Sequence, residues 1–172
     1  MNDRAPAPGD LALVQDLVNT LNIETGADAL DSAEGRAPYG IAERELAAAR
    51  ELREALRAAC LAHAGHPPHR PTPPLTDLLA QAPLLVTVDA ADGSAVLRPA
   101  EPSILVSRVA AAIAAGTADG SWPRLKACEA PDCHWAYYDR SPAGRGRWCS
   151  MASCGSRAKM RAYRARHGTS DG

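Results

Sequence analysis

The chain has 172 residues, enough for one ordinary domain with a small appendage and too little for two large ones. Hydrophobic residues make up 46%, but 36 positions are Ala and Phe is absent, so thin helices with little buried area per residue are expected. Apolar runs such as residues 109–115 fall well short of the roughly 20 residues needed to cross a bilayer, and the charged start Met1-Asn-Asp-Arg4 leads into no apolar segment. A membrane-spanning protein is excluded, no secretory signal is expected, and the cytoplasm is the expected compartment, where clustered Cys points to metal or catalysis and not to disulfides.

The net charge of −1 conceals two unlike halves. Residues 1–120 carry 9 Lys+Arg against 16 Asp+Glu, whereas residues 121–172 carry 10 against 4. Six of the seven aromatic residues and four of the five Cys also lie after residue 120. Such asymmetry implies that the C-terminal part meets a polyanion or that the halves attract each other. The chain therefore divides into residues 1–120 and residues 121–172.

In chain order, Asp10 is placed to cap a first helix in which Val14, Leu17, Val18 and Leu21 recur at helical spacing. Residues 25–40, rich in Gly, Asp, Ala and Pro, read as a loop. A second helix spans about residues 41–63, with Leu46, Ala49, Leu52, Leu56, Ala59 and Cys60 on one side, and stops at Gly65. Residues 65–74 hold five Pro and read as an extended linker. Residues 84–90 and 95–98 flank a turn-forming Asp92-Gly93 and predict a β-hairpin. Pro102 suits the first turn of a further helix through Ile104, Val109 and Ile113, ending near Gly116. The fold class read from this pattern is α+β: a mainly helical N-terminal domain with one hairpin, then a small four-Cys module ending in a basic helix.

The informative pattern is Cys128-x4-Cys133, fifteen residues, then Cys149-x4-Cys154. Two Cys pairs with matched gaps, separated by a loop of finger length, supply four thiolates for one tetrahedral, structural Zn²⁺. Pro131-Asp132 supplies a turn inside the first pair. The second pair opens a helix with Ser150 as cap, at the end where partial positive charge stabilises thiolates. Two disulfides need an oxidising compartment, and a redox dithiol normally has two intervening residues and not four. His134 reads as a bystander and Cys60 as a small core residue. His63, His66 and His69 recur every third residue, but Gly65, Pro67 and Pro68 break any helix that would align them.

Between the Cys pairs, Trp135 and Tyr137 lie on one face of a short strand and are expected to cover the metal in preference to stacking on bases. Residues 144–147 carry Arg145 and Arg147 in a Gly-rich loop read as mobile. At about 100° per residue, Arg157, Arg161 and Arg164 form one stripe on the final helix, with Lys159 and Arg166 further round. A Zn(Cys)4 centre needs two or three nearby cations; the surplus favours phosphate.

These residues resemble the bacterial CGNR zinc-finger proteins, whose N-terminal part is called the ABATE domain. The sharp part of the likeness is Trp122-Pro-Arg-Leu-Lys-Ala-Cys128, Cys133-His-Trp-Ala-Tyr-Tyr-Asp139-Arg-Ser141 and Trp148-Cys-Ser-Met-Ala-Ser-Cys154-Gly-Ser-Arg157-Ala-Lys159; the looser part is residues 16–21 and 49–57. Ser156 stands where the family usually has Asn. The resemblance implies an ABATE-like domain at 1–120, a CGNR-type finger at 121–172, and a role as a stress-linked transcription regulator. Three functions follow in order: a DNA-binding regulator contacting phosphates through Arg145, Arg147, Arg157, Lys159, Arg161, Arg164 and Arg166; a zinc-stapled interaction or sensing module; and an enzyme, disfavoured because four thiolates leave no open coordination position. A homodimer and a small-molecule effector stay open at this point.

Overall fold

The computed structural model describes residues 5–167; residues 1–4, the charged start of the chain, and residues 168–172, the end of the second domain read above, lie outside the described residues. The architecture is α+β: helical segments make up nearly half of the described chain, with two separate antiparallel two-stranded ribbons. None of the described helices is long and apolar enough to cross a membrane.

Helix α1 (Leu11–Val18) buries Leu11, Val14, Leu17 and Val18. Asp10 precedes it without capping it: its backbone is already helical at φ −71°, ψ −9°, and its side chain accepts no hydrogen bond, whereas a side-chain cap needs an extended residue there. Residues 25–40 are not an irregular loop. They form a 3₁₀ turn (Ala29–Asp31), α2 (Ala33–Arg36) and a second 3₁₀ turn (Ala37–Tyr39), started by Asp28 and Ser32, whose side chains accept from the Leu30 and Gly35 N–H groups. The polar residues that read as loop formers act here as helix caps.

Helix α3 (Leu46–His63) follows a 3₁₀ turn at Glu43–Glu45 and gives way to Gly65 at φ +80°. Ala49, Leu52, Leu56 and Cys60 are buried as expected, but so are the charged Arg53, Glu54 and Arg57. After the Pro-rich stretch, residues 75–79 form the short α4 (Leu75–Leu79). Strands β1 (Leu84–Val88) and β2 (Ala95–Pro99) pair antiparallel with Val86 opposite Leu97. Helix α5 (Leu105–Ala118) starts later than Pro102, with Ile104 extended before it. It packs so closely on α1 that a Cβ on Gly116 would lie 2.9 Å from Leu11 Cδ1.

The last segment adds β3 (Leu125–Ala127) and β4 (Ala136–Tyr138), paired with Lys126 opposite Tyr137, and then α6 (Ser156–His167). The main core crosses residue 120: Leu17, Leu30, Leu56 and Val109 share it with Leu125, Ala127 and Ala136. A second, small cluster gathers the four C-terminal Cys with Ala130 and Tyr137, flanked by Trp135 and Trp148.

Candidate metal centre

Two short segments bring the four Cys together. In the first, Cys128 donates its N–H to the Trp135 carbonyl at the mouth of the ribbon, and the chain turns at Pro131-Asp132 so that the Cys133 N–H returns to the Ala130 carbonyl at 2.9 Å. His134 completes this turn at φ +47°, a conformation ordinarily left to Gly. In the second, Ser150 is extended and its hydroxyl accepts from the Ser153 N–H, opening a wide turn at Met151–Gly155 that continues into α6. Cys149 thus lies before the first turn and Cys154 within it.

All four Sγ atoms lie within 4.8 Å of one another and all four Cys are buried. Cys133 and Cys149 are 3.6 Å apart and Cys149 and Cys154 3.7 Å. A tetrahedron with Zn–S bonds of about 2.3 Å has edges of about 3.8 Å, so the spacing fits zinc, and all five Cys of the chain are free thiols. The donor chemistry agrees. Hydrogen bonds from Cys133 and Cys149 hold Cys128 far below the ordinary thiol range, and those same bonds push Cys133 and Cys149 up. Four thiols this close cannot all ionise unless a cation sits among them. Cys128, Cys133, Cys149 and Cys154 form a site for one structural zinc ion.

With this geometry the comparison with known families is direct. Residues 124–167 match the model of the CGNR zinc finger. No curated protein matches the chain. Ser156, which stands where the resembled family usually has Asn, donates its hydroxyl to the Met151 carbonyl at 3.1 Å and so ties the wide turn to α6.

The finger's cations divide into two groups. Arg157 donates to Cys154 Sγ at 3.4 Å and pairs with Glu24 at 3.0 Å and Asp132 at 3.4 Å. Its guanidinium pKa is raised, chiefly by the bond to Cys154. Arg147 makes a two-pronged ion pair with Glu129. Arg145, Lys159, Arg161, Arg164 and Arg166 are exposed and, among the described residues, their side chains make no ion pair or hydrogen bond. Arg157, Arg161 and Arg164 line a groove of about 790 Å³ beside the thiols, together with Ser150, Trp135 and Met160.

The loop carrying Arg145 and Arg147 is tied down, contrary to the mobility its Gly content suggested. Asp139, fully buried, accepts from the Ser141 N–H and hydroxyl, the Gly146 N–H and the Lys126 ammonium. Burial alone would raise its pKa, but those donors hold it well below the usual carboxylate range. A Cβ on Gly146 would lie 2.8 Å from Asp139 Oδ1, so this position requires Gly for space.

Sequence reasoning missed the groups that clamp the finger to the N-terminal helices. The Asn19 amide donates to the Ala136 carbonyl and accepts from the Ala136 N–H. Arg57, fully buried, donates to the carbonyls of His134 at 2.8 Å and Val18 at 2.7 Å and to Glu54. His63 Nδ1 meets the Leu125 carbonyl, and Arg140 reaches back to the Ala5 and Pro6 carbonyls. His134 is no ligand, but it is not idle: its ring Nδ1 meets the Cys128 carbonyl at 2.9 Å. Cys60 is fully buried, its thiol pushed up to about 12 by desolvation, as a core residue should be.

Proposed function

We propose that the protein is a DNA-binding regulator in which the zinc centre fixes α6 and its groove against the phosphate backbone, and that the zinc itself is structural because four thiolates leave no position for water or substrate. The observation that carries this reading is the unequal fate of the basic residues. Those near the metal or inside the finger, Lys126, Arg147 and Arg157, are engaged, while Arg145, Lys159, Arg161, Arg164 and Arg166 present charge to solvent. Neutralising the thiolates explains Arg157 and leaves the other five unexplained; a polyanion explains them. Transcription regulation under stress is the context that the family resemblance supplies, and the cytoplasm is the compartment expected from the sequence.

The test is binding of zinc-loaded protein to labelled duplex DNA across a salt series. With four or five phosphates neutralised, the log affinity falls with a slope of about −4 against log salt. Undetectable association at low salt, or a slope near zero, overturns the proposal. The Arg157–Glu24 pair favours a second reading, in which α6 docks on acidic protein surface; in that case the Glu24→Gln variant changes partner binding while DNA binding stays absent.

A further inference from the structure

A pocket of about 430 Å³ lies at the seam between α1 and the finger, on lining residues that the metal centre and the basic groove hardly use. Its walls include Pro6, Gln15, Asp16, Asn19 and Tyr39 from the N-terminal part and Trp135 from the finger. Three of these are fixed in place by bonds described above: Asn19 is committed at both ends of its amide to Ala136, Pro6 is strapped by Arg140, and Trp135 follows the clamped His134. The pocket is therefore formed mostly by the N-terminal part, with Trp135 of the finger closing one wall.

Its chemistry is set by what remains uncommitted. Asp16 lines the open side of this pocket from an exposed position; among the described residues it has no ion pair and no hydrogen bond, and desolvation by its neighbours raises its carboxyl pKa. Gln15, 5% exposed, accepts from the Ala7 N–H through Oε1, which leaves its amide hydrogens without an acceptor. Tyr39, 7% exposed, has its hydroxyl pushed up to about 12 by burial and by the negative charge of Asp16, so the two groups sense each other. A carboxylate without a counter-ion beside two aromatic side chains selects a cation, since rings and carboxylate attract the same charge. The free Gln15 amide adds a donor for an oxygen.

We propose that this seam pocket binds a small organic ammonium ion carrying an oxygen acceptor, with Asp16 opposite the cationic head, Tyr39 and Trp135 beside it and Gln15 donating to the oxygen. Asp16 is exposed and, among the described residues, makes no hydrogen bond or ion pair, so Asp16→Asn removes the charge and is expected to leave the framework and the zinc content intact.

The experiment is titration of the zinc-loaded full chain with choline and with ethanolamine, followed by calorimetry and by Trp fluorescence. The control is the uncharged isostere of choline, in which a tert-butyl group replaces the trimethylammonium. The expected result is a Kd of about 1 mM or tighter for at least one of the two amines, weakened about tenfold or more in Asp16→Asn and about tenfold or more for the isostere. Absence of binding by both amines, equal binding of the isostere, or unchanged affinity in Asp16→Asn each overturns the assignment. None of these outcomes bears on DNA binding, which is read separately.

Discussion

Arg57→Met is the perturbation that tests the clamp between the helices and the finger. The wild-type guanidinium, fully buried, serves three acceptors: the Val18 carbonyl at the end of α1, the His134 carbonyl next to Cys133, and Glu54. Met fills most of the volume but donates nothing. Two buried carbonyls then lack donors, at about 1–3 kcal/mol each. Glu54, also fully buried, keeps Arg53 at 2.8 Å, so its charge is not stranded and the larger cost of an unpaired buried ion is avoided. The expected loss is about 4 kcal/mol, a large share of the roughly 5–15 kcal/mol that holds a domain together. With a urea m-value of about 2 kcal/mol/M, the midpoint falls by about 2 M. Arg57→Lys recovers less than half of this, because an ammonium on a flexible stem cannot serve three divergent acceptors. The assay is urea unfolding at fixed zinc and protein concentrations, read by Trp fluorescence and circular dichroism, since zinc bound to the native state contributes to the measured stability. A loss under about 1 kcal/mol, or full recovery by Lys, refutes the claim that these three bonds act together.

The remaining predictions concern the metal, the charged surface and acid stability. Cys149→Ser takes the zinc content from one per chain to none and collapses the aromatic circular dichroism around Trp135 and Trp148, whereas Cys60→Ser keeps its zinc; elemental analysis of the purified variants decides. Arg161→Ala and Arg164→Ala each reduce the salt slope of DNA binding by about 0.9, while Arg147→Ala, already paired with Glu129, leaves it unchanged; equal effects of all three would remove the distinction between engaged and free cations. Asp139 has a folded-state pKa below its unfolded one, so its contribution is complete above the ordinary carboxylate value of about 4 and is lost as pH falls below it. The stability gap between the native protein and Asp139→Asn therefore narrows on acidification below about pH 4, and a gap that stays constant in urea titrations at successive pH values contradicts the assignment.

How far the sequence could be read depended on how near each residue's partners lie. The two Cys pairs, the β1–β2 ribbon and the apolar side of α3 were legible because each is local: four-residue gaps, an alternation around Asp92-Gly93, and a repeat every three or four residues. Asp28 and Ser32 were misjudged because turn formers and helix caps are the same residue types, and only the following N–H groups distinguish them. Asp139 and Gly146 were illegible in role, since a buried carboxylate surrounded by donors has no signature of its own in sequence. The basic residues were read as a surplus, but only coordinates separate Arg147 and Arg157, which have partners, from the five that have none among the described residues.

The long-range clamps carry a consequence for how the molecule folds. Asn19 meets Ala136 across 117 residues and Arg57 meets His134 across 77, and both end on main-chain atoms of the segment that holds Cys128 and Cys133. Asn19 and Arg57 fall within the two N-terminal stretches, residues 16–21 and 49–57, that carry the looser family resemblance. Through Asn19 and Arg57 those stretches hold the finger's backbone, while Leu17, Leu52 and Leu56 from the same stretches serve the core. Because Leu125, Ala127 and Ala136 are shared with that core, drawing the zinc from its four sulfurs loosens the ribbon that the α1–α3 packing rests on. Metal release and N-terminal unfolding are therefore expected to be linked, so that a chelator lowers the helical circular dichroism of helices that hold no ligand; unchanged helicity after complete zinc removal refutes the link.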